Sequence, residues 1–176
     1  MADLTIALAG NPNAGKSTIF NVLTGLHQHT GNWPGKTVEK KEGQFEHKGL
    51  TINIVDLPGT YSLTAYSPEE IIARDFIIEE KPDVVINVVD ATNLERNLYL
   101  TMQLLELEVP VVVALNMSDA LHKDGAKIHV KELSQLLGNV PVVHTSANHG
   151  NGVADLIAEA VQTANRKATF MLPVAR

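Results

Sequence analysis

The sequence predicts an α/β domain: a mostly parallel six-stranded sheet with one antiparallel edge strand and helices on both faces. Three observations carry this. Apolar, β-branched runs recur along the whole chain, with segments of helical period between them. Those runs are nearly continuous in apolar character, as strands covered on both faces are. Alternation of strand and helix implies parallel pairing with right-handed crossovers. The one antiparallel pairing is expected where Gln44-Phe45-Glu46-His47 meets Thr51–Val55 across a turn at Lys48-Gly49.

The elements follow in order. Leu4–Ala9 reads as a buried strand, Gly10–Gly15 as a loop and Ser17–Leu23 as a helix. Residues 25–41 show no period, and a loop of that length in a compact domain is functional or disordered. Ser67-Pro68-Glu69-Glu70 is a capping box with Pro at the first helical position, so a helix begins at Pro68. That role accounts for Glu69 and Glu70 better than acid–base chemistry does. Val84–Val89 is a strand, and Leu94, Leu98, Met102 and Leu105 mark the buried face of the next helix. Val109–Leu115 and Val140–Val143 are strands, and Val153, Leu156, Ile157, Ala160 and Val161 line the last helix. The stretch Ala168–Arg176 is aperiodic and contains Pro173, so residues 1–167 are read as the domain and 168–176 as a linker.

Composition narrows the function classes. The chain has 176 residues, enough for one domain with a sizeable core. It carries 14 basic and 20 acidic residues, a net charge of −6, which argues against nucleic-acid binding through a basic face. Absence of Cys excludes disulfides and thiolate chemistry. No apolar stretch reaches the roughly 18 residues of a membrane span, and the N-terminus lacks a signal-peptide pattern. By itself the chain reads as a soluble, cytoplasmic-type domain.

The chemistry starts at Gly10-Asn11-Pro12-Asn13-Ala14-Gly15-Lys16-Ser17-Thr18, a complete G-x-x-x-x-G-K-S phosphate loop. It sits between a strand and a helix, so several backbone N–H groups and a positive helix end converge on one point. Gly10 and Gly15 permit backbone paths that a side chain would obstruct. Lys16 supplies charge for the β- and γ-phosphates, and Ser17 a hydroxyl for Mg²⁺. Asp56-Leu57-Pro58-Gly59 follows the next strand. Alone it is an ordinary turn; after a phosphate loop, Asp56 is placed to hold Mg²⁺ through a water and Gly59 to offer its N–H to a γ-phosphate.

Asn116-Met117-Ser118-Asp119 follows a later strand. The tetrapeptide is either a strand-to-helix turn capped by Ser118 or Asp119, or a base-recognition loop. In the second case the Asp119 carboxylate accepts from guanine N1–H and N2–H₂, a donor pair adenine lacks. Asn116 then braces the loop and touches the base edge, Met117 covers the base, and Thr145-Ser146-Ala147 supplies an N–H to guanine O6. Thr37, in the irregular stretch, either starts a strand or contributes its hydroxyl to Mg²⁺ and its N–H to the γ-phosphate, contacts that end on hydrolysis.

Together these motifs, with Gly31-Asn32-Trp33-Pro34-Gly35 and Asp56-Leu-Pro-Gly-Thr-Tyr-Ser62, resemble the G domain of the FeoB ferrous-iron transport family, over about residues 3 to 165. Gly-Asn-Trp-Pro-Gly is the most specific part. The resemblance implies a Ras-like P-loop GTPase that binds GTP or GDP with Mg²⁺ on the cytoplasmic face of the inner membrane. There it would be attached to a helical module and a membrane transporter domain beyond this chain. It also implies K⁺, held in part by Asn13 and by backbone carbonyls near Gly31 and Trp33. Asn13 otherwise reads as a turn-former. An Era- or MnmE-type GTPase of ribosome or tRNA maturation is the alternative; those append RNA-binding domains.

Two departures bear on rate. Position 60, where Ras-type enzymes carry a water-orienting Gln, is Thr60, and residues 1–73 contain no Arg. Hydrolysis is therefore expected to be slow. Asn-Met-Ser-Asp also lacks the Lys that many GTPases place second. The seven His residues show no metal-ligand spacing and read as surface groups. Trp33, in a Gly/Pro loop, is expected to be exposed and to move with the nucleotide.

Overall fold

A computed structural model describes residues 2–117 and 128–171. Seven strands form one sheet in the order β2-β3-β4-β1-β5-β6-β7. They are β1 (Leu4–Gly10), β2 (Gln28–Asn32), β3 (Glu39–His47), β4 (Leu50–Asp56), β5 (Val84–Asp90), β6 (Val111–Asn116) and β7 (Val142–His144). Five α-helices are described: α1 (Lys16–Thr24), α2 (Pro68–Glu80), α3 (Leu94–Glu106), α4 (Val130–Leu136) and α5 (Val153–Met171).

Strands β4, β1, β5, β6 and β7 are mutually parallel, and β3 runs antiparallel to both β4 and β2. The six-strand expectation is therefore one short. The seventh strand, β2, lies inside the segment read as irregular. Its sequence Gln-His-Thr-Gly-Asn offers no apolar alternation, because an edge strand with solvated side chains needs only the backbone ladder to β3. The antiparallel strand consequently stands second from the edge. It also begins earlier than expected, under the charged run Glu39–Glu42.

Alternate residues of each central strand face opposite layers. Ala7, Val55, Val85 and Val113 pack with Ile72 and Ile77 of α2, Leu100 and Leu104 of α3 and Leu133 of α4. Ile6, Ile54, Ile86 and Val112 pack with Ile19 and Phe20 of α1 and Leu156 and Ala160 of α5. In the helix over residues 94–106, Leu94, Leu98 and Leu105 pack half-buried against the first of these layers as expected, but the face is turned away from Met102. The buried residues of the helix are Asn97, Leu100, Thr101 and Leu104, and Met102 is 49% exposed. That turn follows from Asn97 and Thr101, whose side chains hydrogen-bond inward to the sheet. Helix α5 continues through Met171, so the first residues of the expected linker are helical.

β6 starts at Val111 and β7 at Val142, each just after a proline that has no N–H for the ladder. All five parallel strands point their carboxyl ends toward the side where the loops after β1, β4 and β6 emerge.

Candidate nucleotide site

Residues Gly10 to Lys16 leave β1 and enter α1 directly. The helix is capped by Gly15 at φ 100° with no side chain on its first N–H groups, and its first turn holds no acidic residue. Those donors are open to an anion. Gly15 lies in the left-handed region, where a side chain is strained. Gly10 does not; it lacks a side chain because its neighbour strand approaches, and a Cβ would meet the Val88 carbonyl at 2.7 Å. Asn13 also has positive φ, 68°, a conformation that Asn tolerates.

Lys16 and Asp56 meet at the centre of the site. Both are buried, and the Lys16 Nζ donates to Asp56 Oδ1. Asp56 ends β4, the strand beside β1, which brings the second motif next to the first. The following turn is fastened to the loop: Leu57 N–H donates to Leu8 O at 3.0 Å and Thr60 N–H to Gly10 O at 3.1 Å. Gly59 lies against Pro12. Ser17 is exposed at the start of α1 and Thr18 half-buried behind it. A serine hydroxyl and a carboxylate are hard oxygen donors, a set that suits Mg²⁺.

Asn116 ties the base-recognition segments together. Its Nδ2 donates to Ala14 O at 3.0 Å. Its Oδ1 accepts from Thr145 Oγ1 at 2.9 Å and from the Ala147 N–H at 3.1 Å. Met117 follows at φ 63°. Ser146 and Ala147, after β7, are thereby held beside the phosphate loop, through a side chain predicted to brace it. Asp119 and Ser118 lie outside the described residues.

Three expected site residues stand apart. Gly31 pairs with Lys40 in β2, three strands and about 14 Å across the sheet from β1. Thr37 is exposed in the bend before β3. Trp33 is not exposed: at 7% it joins the core, its ring 5.8 Å edge-on from Phe76 of α2, with Lys40 Nζ 4.8 Å above it. The Gly-Asn-Trp-Pro-Gly turn works as an anchor here. Trp33 N–H donates to Val38 O, and Lys36 N–H to Trp33 O, each at 2.9 Å, closing the turn so that the indole folds back under α2.

Some participants left only a weak trace in the sequence. Asn87 interrupts the run Val-Val-Ile-Asn-Val-Val; its Nδ2 donates to Ala9 O at 3.3 Å and its Oδ1 accepts from Thr101 of α3. A single polar residue inside a fully buried strand was the available signal. Glu70 carries the other. Its carboxylate accepts from Ser62 Oγ and from Thr64 Oγ1 (2.8 Å) and N–H (3.3 Å), and these bonds, Ser62 first, hold its pKa down at about 2. Its own N–H donates to Ser67 Oγ at 3.2 Å, the expected cap.

A three-layer α/β sheet with a phosphate loop after its first strand, an acidic turn after the adjacent strand and an asparagine clasp after β6 defines a G domain of the P-loop GTPase fold. Residues 4–160 match the sequence model of the family described as "Ferrous iron transport protein B", and the chain belongs to that family. It is 48% identical over 172 residues to the Fe(2+) transport protein A/Fe(2+) transporter FeoB fusion protein of Porphyromonas gingivalis, covering 97% of this chain and 20% of that one. The FeoB G-domain from Methanococcus jannaschii superposes with a TM-score of 0.83 at 51% identity, covering 94% of this chain and 99% of that one. The cytosolic domain of the T. maritima FeoB iron transporter in its GMPPNP form gives a TM-score of 0.88 at 49% identity, covering 92% and 64%. The chain spans about a fifth of the length of the curated relatives it matches. The family match favours the iron-transport reading over the Era or MnmE alternative.

Proposed function

We propose that this domain binds GTP and GDP and hydrolyses GTP slowly, as the nucleotide switch of a ferrous-iron transporter. The observation that carries the reading is the convergence of Lys16, Asp56 and the uncapped start of α1 with the Asn116 clasp. The loop N–H groups and Lys16 would hold the phosphates, Lys16 exchanging the Asp56 carboxylate for phosphate oxygens. Ser17, Asp56 and Thr37 would hold Mg²⁺, and Asn13, with carbonyls near Gly31 and Trp33, would hold K⁺. Both cations would supply positive charge beside the transferring phosphoryl group. Water attacks the γ-phosphorus as the bond to the β–γ bridging oxygen breaks, releasing phosphate and GDP. Thr60 has too short a side chain to orient that water, so backbone groups near Gly59 take the task. Thr37 and Gly31 stand away from the loop here, which suits a first switch segment that closes only over a γ-phosphate.

Residues 1–167 would form the GTP-binding domain, and the chain beyond would lead toward helical and membrane regions on the cytoplasmic face of the inner membrane. Among the described residues no helix is long and apolar enough to cross a membrane. The test is base selectivity. Asp119→Asn should lose GDP affinity and gain xanthosine diphosphate affinity, by about 10⁴ in the ratio. GDP affinity unchanged in that variant would rule out the base assignment. Equal parental affinity for ADP and GDP would rule out the guanine reading itself.

A further inference from the structure

The turn after Gly59 is held from a side the phosphate-binding motifs do not account for. Tyr61 stands 47% exposed, and the Arg96 guanidinium carbon lies 4.3 Å above its ring centroid. Arg96 sits in the first turn of α3, where a cation opposes the helix dipole and lowers helix stability. A charge placed against the local rule, and stacked on one ring, points to a role in that contact. The mount beneath it is rigid. Asn97 accepts from the Asp90 N–H at 3.1 Å and donates to Asn93 O at 2.8 Å. One helical turn further on, Thr101 bonds Asn87, which reaches the Ala9 carbonyl under the phosphate loop. Arg96, Tyr61, Asn97, Asn11 and Asn13 line one cavity of about 170 Å³ between α3 and that loop.

What the stack fixes is the residue before Tyr61. Thr60 N–H donates to Gly10 O, and Gly59 lies so close to Pro12 that a Cβ would stand 3.3 Å from the Pro12 Cα. We propose that Arg96, through its stack on Tyr61, is a positioning residue for GTP hydrolysis: it holds the Gly59–Thr60 backbone against the phosphate loop. This rests on the GTPase reading above. Its role is indirect: through the Tyr61 ring it replaces the order that a Gln at position 60 would supply.

The experiment compares kcat, KM and GDP affinity in the parent, Arg96→Ala, Tyr61→Ala, Tyr61→Phe and the double alanine variant. Both side chains are exposed, so the variants are expected to fold. Arg96→Ala and Tyr61→Ala should each lower kcat about twofold to fivefold, the worth of one exposed cation–π contact, with GDP affinity unchanged from the parent. Tyr61→Phe keeps the ring and should keep the parental kcat. The double variant should be no slower than either single one. A parental kcat in Arg96→Ala overturns the proposal alone, as does additive loss in the double variant. A parent that binds no GDP and turns over no GTP overturns the GTPase reading and the proposal with it.

Discussion

The Asn116 carboxamide fills the space a side chain on Gly15 would need: a Cβ there would lie 2.0 Å from Nδ2. The phosphate loop and the base-recognition loop are thus built around one another, and neither residue can change alone. Gly15→Ala adds strain at φ 100° to that overlap and should abolish nucleotide binding. Asn116→Ala leaves Ala14 O, Thr145 Oγ1 and the Ala147 N–H buried without this partner. It should cost about 2–4 kcal/mol of unfolding free energy. Urea denaturation of both variants, with and without GDP, checks this. An Asn116→Ala protein as stable as the parent would mean the three bonds are not jointly made.

Trp33 reports on the sheet edge. Buried against Phe76 and beneath Lys40, it should emit at short wavelength in the nucleotide-free protein. Trp33→Ala should cost about 3 kcal/mol, as other large-to-small core changes do. Closure of the first switch segment over a γ-phosphate would carry Gly31 and Thr37 across the sheet edge and pull the indole from under α2. A red shift with a nonhydrolysable GTP analogue and Mg²⁺, absent with GDP, is the expected result. Identical spectra would leave the edge hairpin fixed and exclude Thr37 from the γ-phosphate.

These two cases show what the sequence could and could not reveal. The phosphate loop, Asp56 and Asn116 were legible because each motif follows an apolar strand, and parallel pairing fixes where the ends of such strands meet. The burial of Trp33 is not legible, because Gly and Pro on both sides describe a turn's backbone and say nothing of where its side chain packs. β2 is silent too, because an edge strand of polar residues has no pattern to read. The exposure of Met102 is hidden because apolar period alone cannot foresee that Asn97 and Thr101 hydrogen-bond inward and turn α3 about its axis.

Glu70 links the turn after Tyr61 to α2 and makes that link sensitive to acid. Its folded pKa, about 2, lies below the ordinary 4.5, so its contribution is fully present above pH 4.5 and is lost as pH falls toward 2. The site is open to solvent, so the effect is local. Hydrogen exchange at the Thr64 amide, which donates to Glu70, should quicken relative to intrinsic rates as pH falls through that window. Glu70→Gln should show the faster exchange already at neutral pH. Protection at Thr64 that is independent of pH in the parent would remove Glu70 as its cause.

Hydrolysis should depend on K⁺ through Asn13. The turn after β4 has Thr60 in place of a Gln, and two cationic side chains near the loop have other tasks: Lys16 would be taken up by the β- and γ-phosphates, and Arg96 lies on the Tyr61 ring. Charge developing on the transferring phosphoryl group therefore calls for a mobile cation. Asn13 is exposed on the loop at φ 68°, a left-handed conformation in a strand-to-helix turn that otherwise needs glycine only at Gly15. Its side-chain carbonyl oxygen is the kind of donor that K⁺ takes in place of water. Na⁺ is smaller and should fit a K⁺-sized site poorly. GTP turnover in KCl against NaCl at equal ionic strength, for the parent and Asn13→Ala, is the measurement. The parent should be faster in KCl by about tenfold or more, and Asn13→Ala should be slow and equal in both. Equal parental rates would dispose of the cation. Stimulation that survives in Asn13→Ala would keep the cation and release Asn13 from holding it.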